Sequence, residues 1–287
     1  AAGMAAKEKE VEGALAAAKA AAATEGGEEG STALPPSRCF KRCDRLDAPA
    51  AITRLLSLTT VPHGRPDLEK FVPDADDRKQ FLRVLNTNHA DVMARAATKK
   101  LAAEHGLTED EVMALVAYTM ETPYPLYRWL NGHLTAGRRD PGVNDAVGPF
   151  FTLFYRAFEK LPKVTTTASR TVRVGQISAL RNTYDNYTQV CAPDATLSFW
   201  GAASFSTDDK VVNDEAFSGK LDDDAIQYAC AALTGIDIAP FSVLPTEAEV
   251  LPPPPCVFKV QMATMAGKKL VIVLAQTDED VAYVVPE

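Results

Sequence analysis

No apolar run in this chain approaches the about 20 residues that a helix needs to cross a membrane, and the N-terminus lacks the apolar core of a signal peptide. Basic charge is not in excess either. The formal net charge of -8 argues against nucleic-acid binding by the chain as a whole, although a local patch escapes such an average. Five cysteines in 287 residues make no disulfide framework, so reduced thiols and an intracellular, cytoplasmic setting are the default expectation. Cys39-x-x-x-Cys43 lacks a matching second half, and His89, His105 and His133 are scattered without ligand spacing. No metal site is therefore expected. GxGxxG and GxxxxGK(S/T) are both missing, which speaks against a Rossmann or P-loop nucleotide site, and no internal repeat is present. The chain begins Ala-Ala-Gly rather than Met, as a piece of a longer protein would.

What is present divides by texture. Residues 1–37 form an Ala/Glu-rich arm and linker, with strong helix propensity at first and then GGEEGS and Pro-Pro. The arm is a candidate contact for other subunits. Residues 38–106 read as a helical N-terminal extension, with helices expected at Ala48–Leu58, Asp76–Leu85 and Ala90–His105 from apolar positions three and four apart. Thr108 and Glu111 have the spacing of a capping box for a helix running to about Thr122. Leu126–Thr135 and Gly148–Leu161 follow as further helices.

At Val164 the texture changes to Thr- and Val-rich runs. Strands are expected at Thr165–Gly175, Leu197–Trp200, Ala225–Leu233, Cys256–Met262, Lys269–Ala275 and Val281–Val285, the last two pairing as a hairpin. Helices first and strands second predict an α+β architecture rather than alternating βαβ units.

One stretch carries chemistry: Phe241 to Val260, with Glu247 and Glu249 two residues apart. On a strand, positions i and i+2 share a face, which would set two carboxylates roughly 6–7 Å apart. Paired carboxylates suit a reaction in which positive charge develops at a sugar carbon. An isolated Glu-x-Glu is more often a solvated strand edge, so the company it keeps decides. That company is Arg173 in TVRVGQ, then Ser204 in FWGAASFSTDD, then TGIDIAPFSVLPTEAEVLPPPPCVFKV.

In this order the three motifs resemble the Arg–Ser–Glu class of mono-ADP-ribosyltransferases, related to arginine-modifying ecto-enzymes and bacterial binary toxins. LVAYTMETPYPLYRWLNGHL and FFTLFYRAFEKLP also look like that family's opening helices. The resemblance covers roughly residues 107–287 and implies an ADP-ribosyltransferase-like domain there, its helical part packed on a mixed, mostly antiparallel strand core. The chain differs from the family pattern at Val174, which parts Arg173 from Gly175, and at Ala202–Ala203 and Phe205 in the serine strand.

The resemblance implies NAD as substrate, no metal, and an acceptor protein presenting arginine. Glu249 would stabilise the oxocarbenium-like ribose through its 2′-OH, Arg173 would hold the pyrophosphate, and Ser204 would orient Glu249. Phe217 would flank the nicotinamide ribose and Lys220 would add a phosphate contact. Glu247 would bind and help deprotonate an acceptor guanidinium, which stays protonated in proteins until a base assists. Two other outcomes remain open at this point. One is NAD hydrolysis at the same site, with water as acceptor; the other is a catalytically silent binding or assembly subunit that keeps the fold.

Overall fold

The computed structural model describes residues 13, 47–59, 61, 68–69, 72–135, 141–173, 192–199, 201–214, 225–254, 256–266 and 269–277. Among them are seven α-helices: α1 (Ala48–Leu56), α2 (Ala75–Ala94), α3 (Ala96–Glu104), α4 (Glu109–Tyr118), α5 (Leu126–Thr135), α6 (Pro141–Lys160) and α7 (Asp209–Asn213). The capping box expected at Thr108 is formed. Thr108 accepts the Glu111 amide at 3.2 Å, and Glu111 Oε2 accepts the Thr108 amide at 2.8 Å. The same carboxylate, buried, takes Lys160 Nζ at 2.7 Å, so the cap also ties α4 to the end of α6. Asp74 and Asp77 cap α2 in the same reciprocal way.

Two boundaries fall elsewhere than periodicity places them. The interruption expected between Leu85 and Ala90 is absent; the helix runs on to Ala94 and breaks at Arg95, which adopts φ -68° and ψ 126°. Arg95 Nη1 there donates to the Ser242 carbonyl at 2.8 Å, and Thr98 Oγ1 donates to the Pro240 carbonyl at 2.6 Å. The break thus serves a segment some 140 residues away in the chain, which no local signal could report. The last helix before the strands begins at Pro141 rather than Gly148 and carries Pro149 inside it.

The strands are β1 (Lys163–Arg173), β2 (Thr196–Phe199), β3 (Phe205–Ser206), β4 (Ala225–Asp237), β5 (Glu249–Leu251), β6 (Cys256–Ala266) and β7 (Lys269–Thr277). They form one mixed sheet in the order β1-β3-β5-β4-β7-β6-β2, and β1 also pairs with β4. Among the described residues only β4 and β7 run parallel. The expected α+β class is the observed one. The expected strand at Val281–Val285 and its hairpin lie outside the described residues, and the long antiparallel neighbour of β7 is β6.

The extra β1–β4 pairing closes β1, β3, β5 and β4 into a ring. Within it Ser206 stands opposite Ser169 of β1 on one side and opposite Glu249 of β5 on the other. Three stretches some 35 to 45 residues apart in sequence are thereby brought side by side. One face of the assembly is filled by a helical core that runs from Ala48 on α1 to Leu251 on β5, and includes Trp129, Phe154 and Phe241. The other has Phe205, Phe258, Ile272 and Leu274.

The ring is tight where β4 meets β5. A Cβ built on Gly235 would collide with the Leu251 carbonyl and come within 2.9 Å of the Pro252 nitrogen. Both obstacles are backbone, so β5 itself would have to move. Gly235→Ala is expected to cost about 2–3 kcal/mol of stability and to lower activity through β5, which begins with Glu249. Thermal unfolding checks the first effect; an unshifted Tm would show that β5 yields freely.

Candidate active site

The turn ahead of β5 decides how the two glutamates stand. Pro245–Glu247 is a single 3-10 turn, Ala248 follows in the left-handed region at φ 48° and ψ 49°, and Glu249 opens β5. Glu247 and Glu249 therefore do not share one strand face as the spacing alone suggested; one leaves a turn and the other enters a strand. A non-glycine residue is uncommon in the left-handed region, and the surroundings over-determine this one. Thr207 donates its amide to the Ala248 carbonyl at 3.1 Å, and Ser206 Oγ donates to the Glu247 carbonyl at 2.7 Å. Ser206 thus fastens the carboxylate-bearing turn. This role is visible only in the structure, since an Oγ bonding a carbonyl 41 residues on leaves no trace in spacing.

Glu249 lies close to the Ser204 hydroxyl and in the field of the Arg170 guanidinium. Burial raises its pKa, and that rise is opposed by the hydroxyl and then by the cation. Arg170 Nη1 donates to the Ser204 carbonyl at 2.7 Å and lies 3.5 Å from Ser204 Oγ. The arginine beside the serine is thus Arg170, where the sequence reading chose Arg173. Arg173 ends β1 opposite Ala225, and its side chain lies outside the described residues, as do Phe217, Lys220, Val174 and Trp200.

Glu247 is half-buried. Its pKa is pushed up to about 7, by burial first, then by the charges of Glu249 and Glu121. Glu121 is exposed and fixed. Its Oε1 accepts from Tyr127 Oη at 2.8 Å, and Tyr127 Oη accepts in turn from Arg128 Nε at 2.9 Å. Burial holds Tyr127 at about 12, so it remains a neutral donor. Thr119 Oγ1, two residues before Glu121, accepts the Val243 amide at 3.1 Å, which docks the end of α4 against the segment leading to Glu247. No sequence signal pointed to Glu121.

The arrangement has a clear chemical content. A part-buried carboxylate beside a serine hydroxyl and a guanidinium can stabilise positive charge developing nearby. A second carboxylate that titrates near neutrality can take a proton. Among the described residues no group of three or more His, Cys, Asp or Glu is placed to hold a metal ion, and no helix is long and apolar enough to cross a membrane.

Comparison with known proteins accords with this geometry. A search of curated proteins finds no match. The fold is similar to the type III effector XopAI from Xanthomonas axonopodis pv. citri, with 15% identity, a TM-score of 0.51, and 84% of this chain and 91% of that one covered. It is also similar to the ADP-ribosyltransferase HopU1 of Pseudomonas syringae pv. Tomato, with 20% identity, a TM-score of 0.47 and coverages of 71% and 98%. The Clostridium limosum C3 exoenzyme gives 19% identity, a TM-score of 0.48 and coverages of 64% and 93%. At such identities the likeness speaks of fold alone. The family model for NAD:arginine ADP-ribosyltransferase matches residues 72–281, well over half the chain and including α2 and α3, which lie ahead of the 107–287 span of the sequence resemblance. The chain belongs to the NAD:arginine ADP-ribosyltransferase family, whose members take NAD as their ADP-ribose donor.

Proposed function

We propose that the protein is a mono-ADP-ribosyltransferase that moves ADP-ribose from NAD to an arginine side chain of an acceptor protein. The observation that carries this reading is a pair of glutamates in different surroundings. Glu249 opens β5 beside Ser204 and Arg170, while Glu247 sits in the turn ahead of it and is pushed up to about 7. In the reaction the bond between ribose and nicotinamide breaks with its electron pair going to the nicotinamide, which leaves neutral and needs no acid. Glu249 stabilises the cationic ribose carbon, and a guanidine nitrogen bonds to that carbon while its proton passes to Glu247. Arg170, in place of Arg173, would hold the NAD pyrophosphate by its multi-donor guanidinium. Phe217 and Lys220 keep the cofactor-side roles that the family resemblance implies.

The pH dependence follows from Glu247. Its pKa in the folded protein lies above the ordinary carboxylate value, so it is protonated, and no base, at pH well below 7. Transfer to arginine should therefore rise as pH passes through about 7, on a limb that NAD hydrolysis does not share. Glu247→Gln removes the base but leaves Glu249. It is expected to cut arginine labelling by about a hundredfold while slower release of nicotinamide to water persists. The same substitution removes a charge that burial and two carboxylates disfavour, so Tm at pH 8 should rise. Both labelling and nicotinamide release are measured in the same samples with NAD and an arginine-rich acceptor. Parallel loss of the two would make Glu247 part of the NAD site, and unchanged labelling would remove it from the mechanism. Wild-type protein that frees ADP-ribose without labelling any acceptor would favour the hydrolase reading, and saturable NAD binding without nicotinamide release the silent-subunit reading.

A further inference from the structure

The segment that delivers Ser204 is gripped from the helical side at a single atom. The Ala202 carbonyl accepts from Tyr118 Oη at 2.9 Å and from Asn131 Nδ2 at 2.6 Å, so both of its lone pairs are used by side chains of different helices, α4 and α5. Two residues on, the Ser204 carbonyl is held from the sheet side by Arg170. Residues 202–204 are thus clamped at both ends, with the hydroxyl that lies close to Glu249 at the clamped end nearest the sheet.

Residue 201 makes room for the grip. A Cβ there would lie 2.5 Å from Asn131 Oδ1 and 2.8 Å from Asn131 Cγ, so only glycine lets Asn131 reach its neighbour's carbonyl without displacement. Tyr118 is 4% exposed, its ring set against Phe154 at 5.0 Å and Tyr127 at 6.1 Å. A phenylalanine would satisfy that packing, so the hydroxyl, whose burial is costly without a partner, is present for the bond it makes. Its position is also close enough to feel the charges of Glu249 and Arg170.

We propose that Tyr118 and Asn131 are positioning residues for the NAD chemistry: by gripping the Ala202 carbonyl they aim the Ser204 hydroxyl at Glu249. The inference rests on the reading that Ser204 and Glu249 serve the bond-breaking step. It explains why the Ala202–Ala203 stretch, which departs from the family's serine strand, is as buried as the core: its backbone, not its side chains, is the handle. A shift of Ser204 by a fraction of an ångström weakens its hold on the Glu249 carboxylate, one of the two influences, with the Arg170 charge, that oppose the rise which burial and then the Glu121 charge give its pKa. The Glu249 pKa then rises further, and the acid limb of turnover moves to higher pH.

The test follows nicotinamide release against pH in the full chain. Tyr118→Phe and Asn131→Asp should each lower kcat by about tenfold with KM for NAD changed by less than about threefold, because orientation rather than binding is lost. Both should move the acid limb upward. Phe81→Leu, a buried substitution on α2 away from the grip, should lower Tm and leave the limb in place. In a Ser204→Ala background, Tyr118→Phe should cost nothing more, since no hydroxyl remains to be aimed. Losses that multiply in that background, or a limb that stays put in Tyr118→Phe and Asn131→Asp, overturn the inference. Full turnover in Ser204→Ala would sink the underlying reading and the inference with it. An impaired Ser204→Ala beside a normal Tyr118→Phe would remove the inference alone.

Discussion

Glu249→Gln is expected to abolish nicotinamide release and protein labelling together, by about a hundredfold to a thousandfold. The substitution keeps the side chain's size and leaves an oxygen for the Ser204 hydroxyl, so the fold should survive and Tm should not fall. What it removes is the negative charge. In water that charge would be worth little, but Glu249 is part-buried, with burial the first cause of its raised pKa, and its field is correspondingly less screened. Positive charge that develops on the ribose carbon would then have no counter-charge at the point of bond cleavage. Both water and guanidine react after that cleavage, so both products should disappear in proportion. A variant that keeps most of its nicotinamide release would contradict the assignment.

Arg170→Lys should be nearly as damaging, and Arg173→Lys should not. Lysine keeps the charge at position 170 but loses the planar set of donors. One of those donors already holds the Ser204 carbonyl at 2.7 Å, and an ammonium, whose three donors radiate from one atom, serves that carbonyl and a pyrophosphate with poorer geometry than the spread guanidinium fork. Loss of charge-assisted hydrogen bonds worth together about 3 kcal/mol corresponds to roughly a hundredfold in kcat/KM for NAD. Arg173→Lys should stay within about threefold, an effect under 1 kcal/mol. Measuring kcat/KM for NAD in both variants orders them, and the reverse ranking would return the pyrophosphate to Arg173.

The arginine assignment shows where local reading stops. TVRVGQ offers Arg173 because a glycine two residues on resembles an Arg-Gly strand, yet the guanidinium that meets the Ser204 carbonyl is that of Arg170. That contact follows from β1 and β3 being paired, with Ser169 opposite Ser206, a pairing between stretches with no shared local signal. Glu247 and Glu249 were visible as a pair, but their period of two suggested a strand where a left-handed Ala248 makes a turn. The left-handed conformation is imposed by hydrogen bonds from Ser206 and Thr207, and nothing in alanine's own preferences announces it.

Some features needed no tertiary information. Thr108 and Glu111 lie three residues apart, and a capping box is satisfied within one turn of chain, so its presence at α4 was legible. Helix α5 has the bounds its apolar spacing gave, Leu126–Thr135. The change from helices to strands at Val164, and with it the α+β class, follows from β-branched residues replacing the 3-4 apolar pattern. The family was carried by the long stretch around Glu247 and Glu249, where the motif is contiguous. Class and family were thus legible in the chain alone, because they are properties of neighbouring residues. Only the tertiary structure decided that Arg170 stands beside Ser204, that Ser206 fastens the turn, that Glu121 leans on Glu247, and that Tyr118 and Asn131 grip Ala202. Each of these joins residues from 34 to more than a hundred positions apart, and such joins are set by ring closure and core packing rather than by any preference the chain expresses locally.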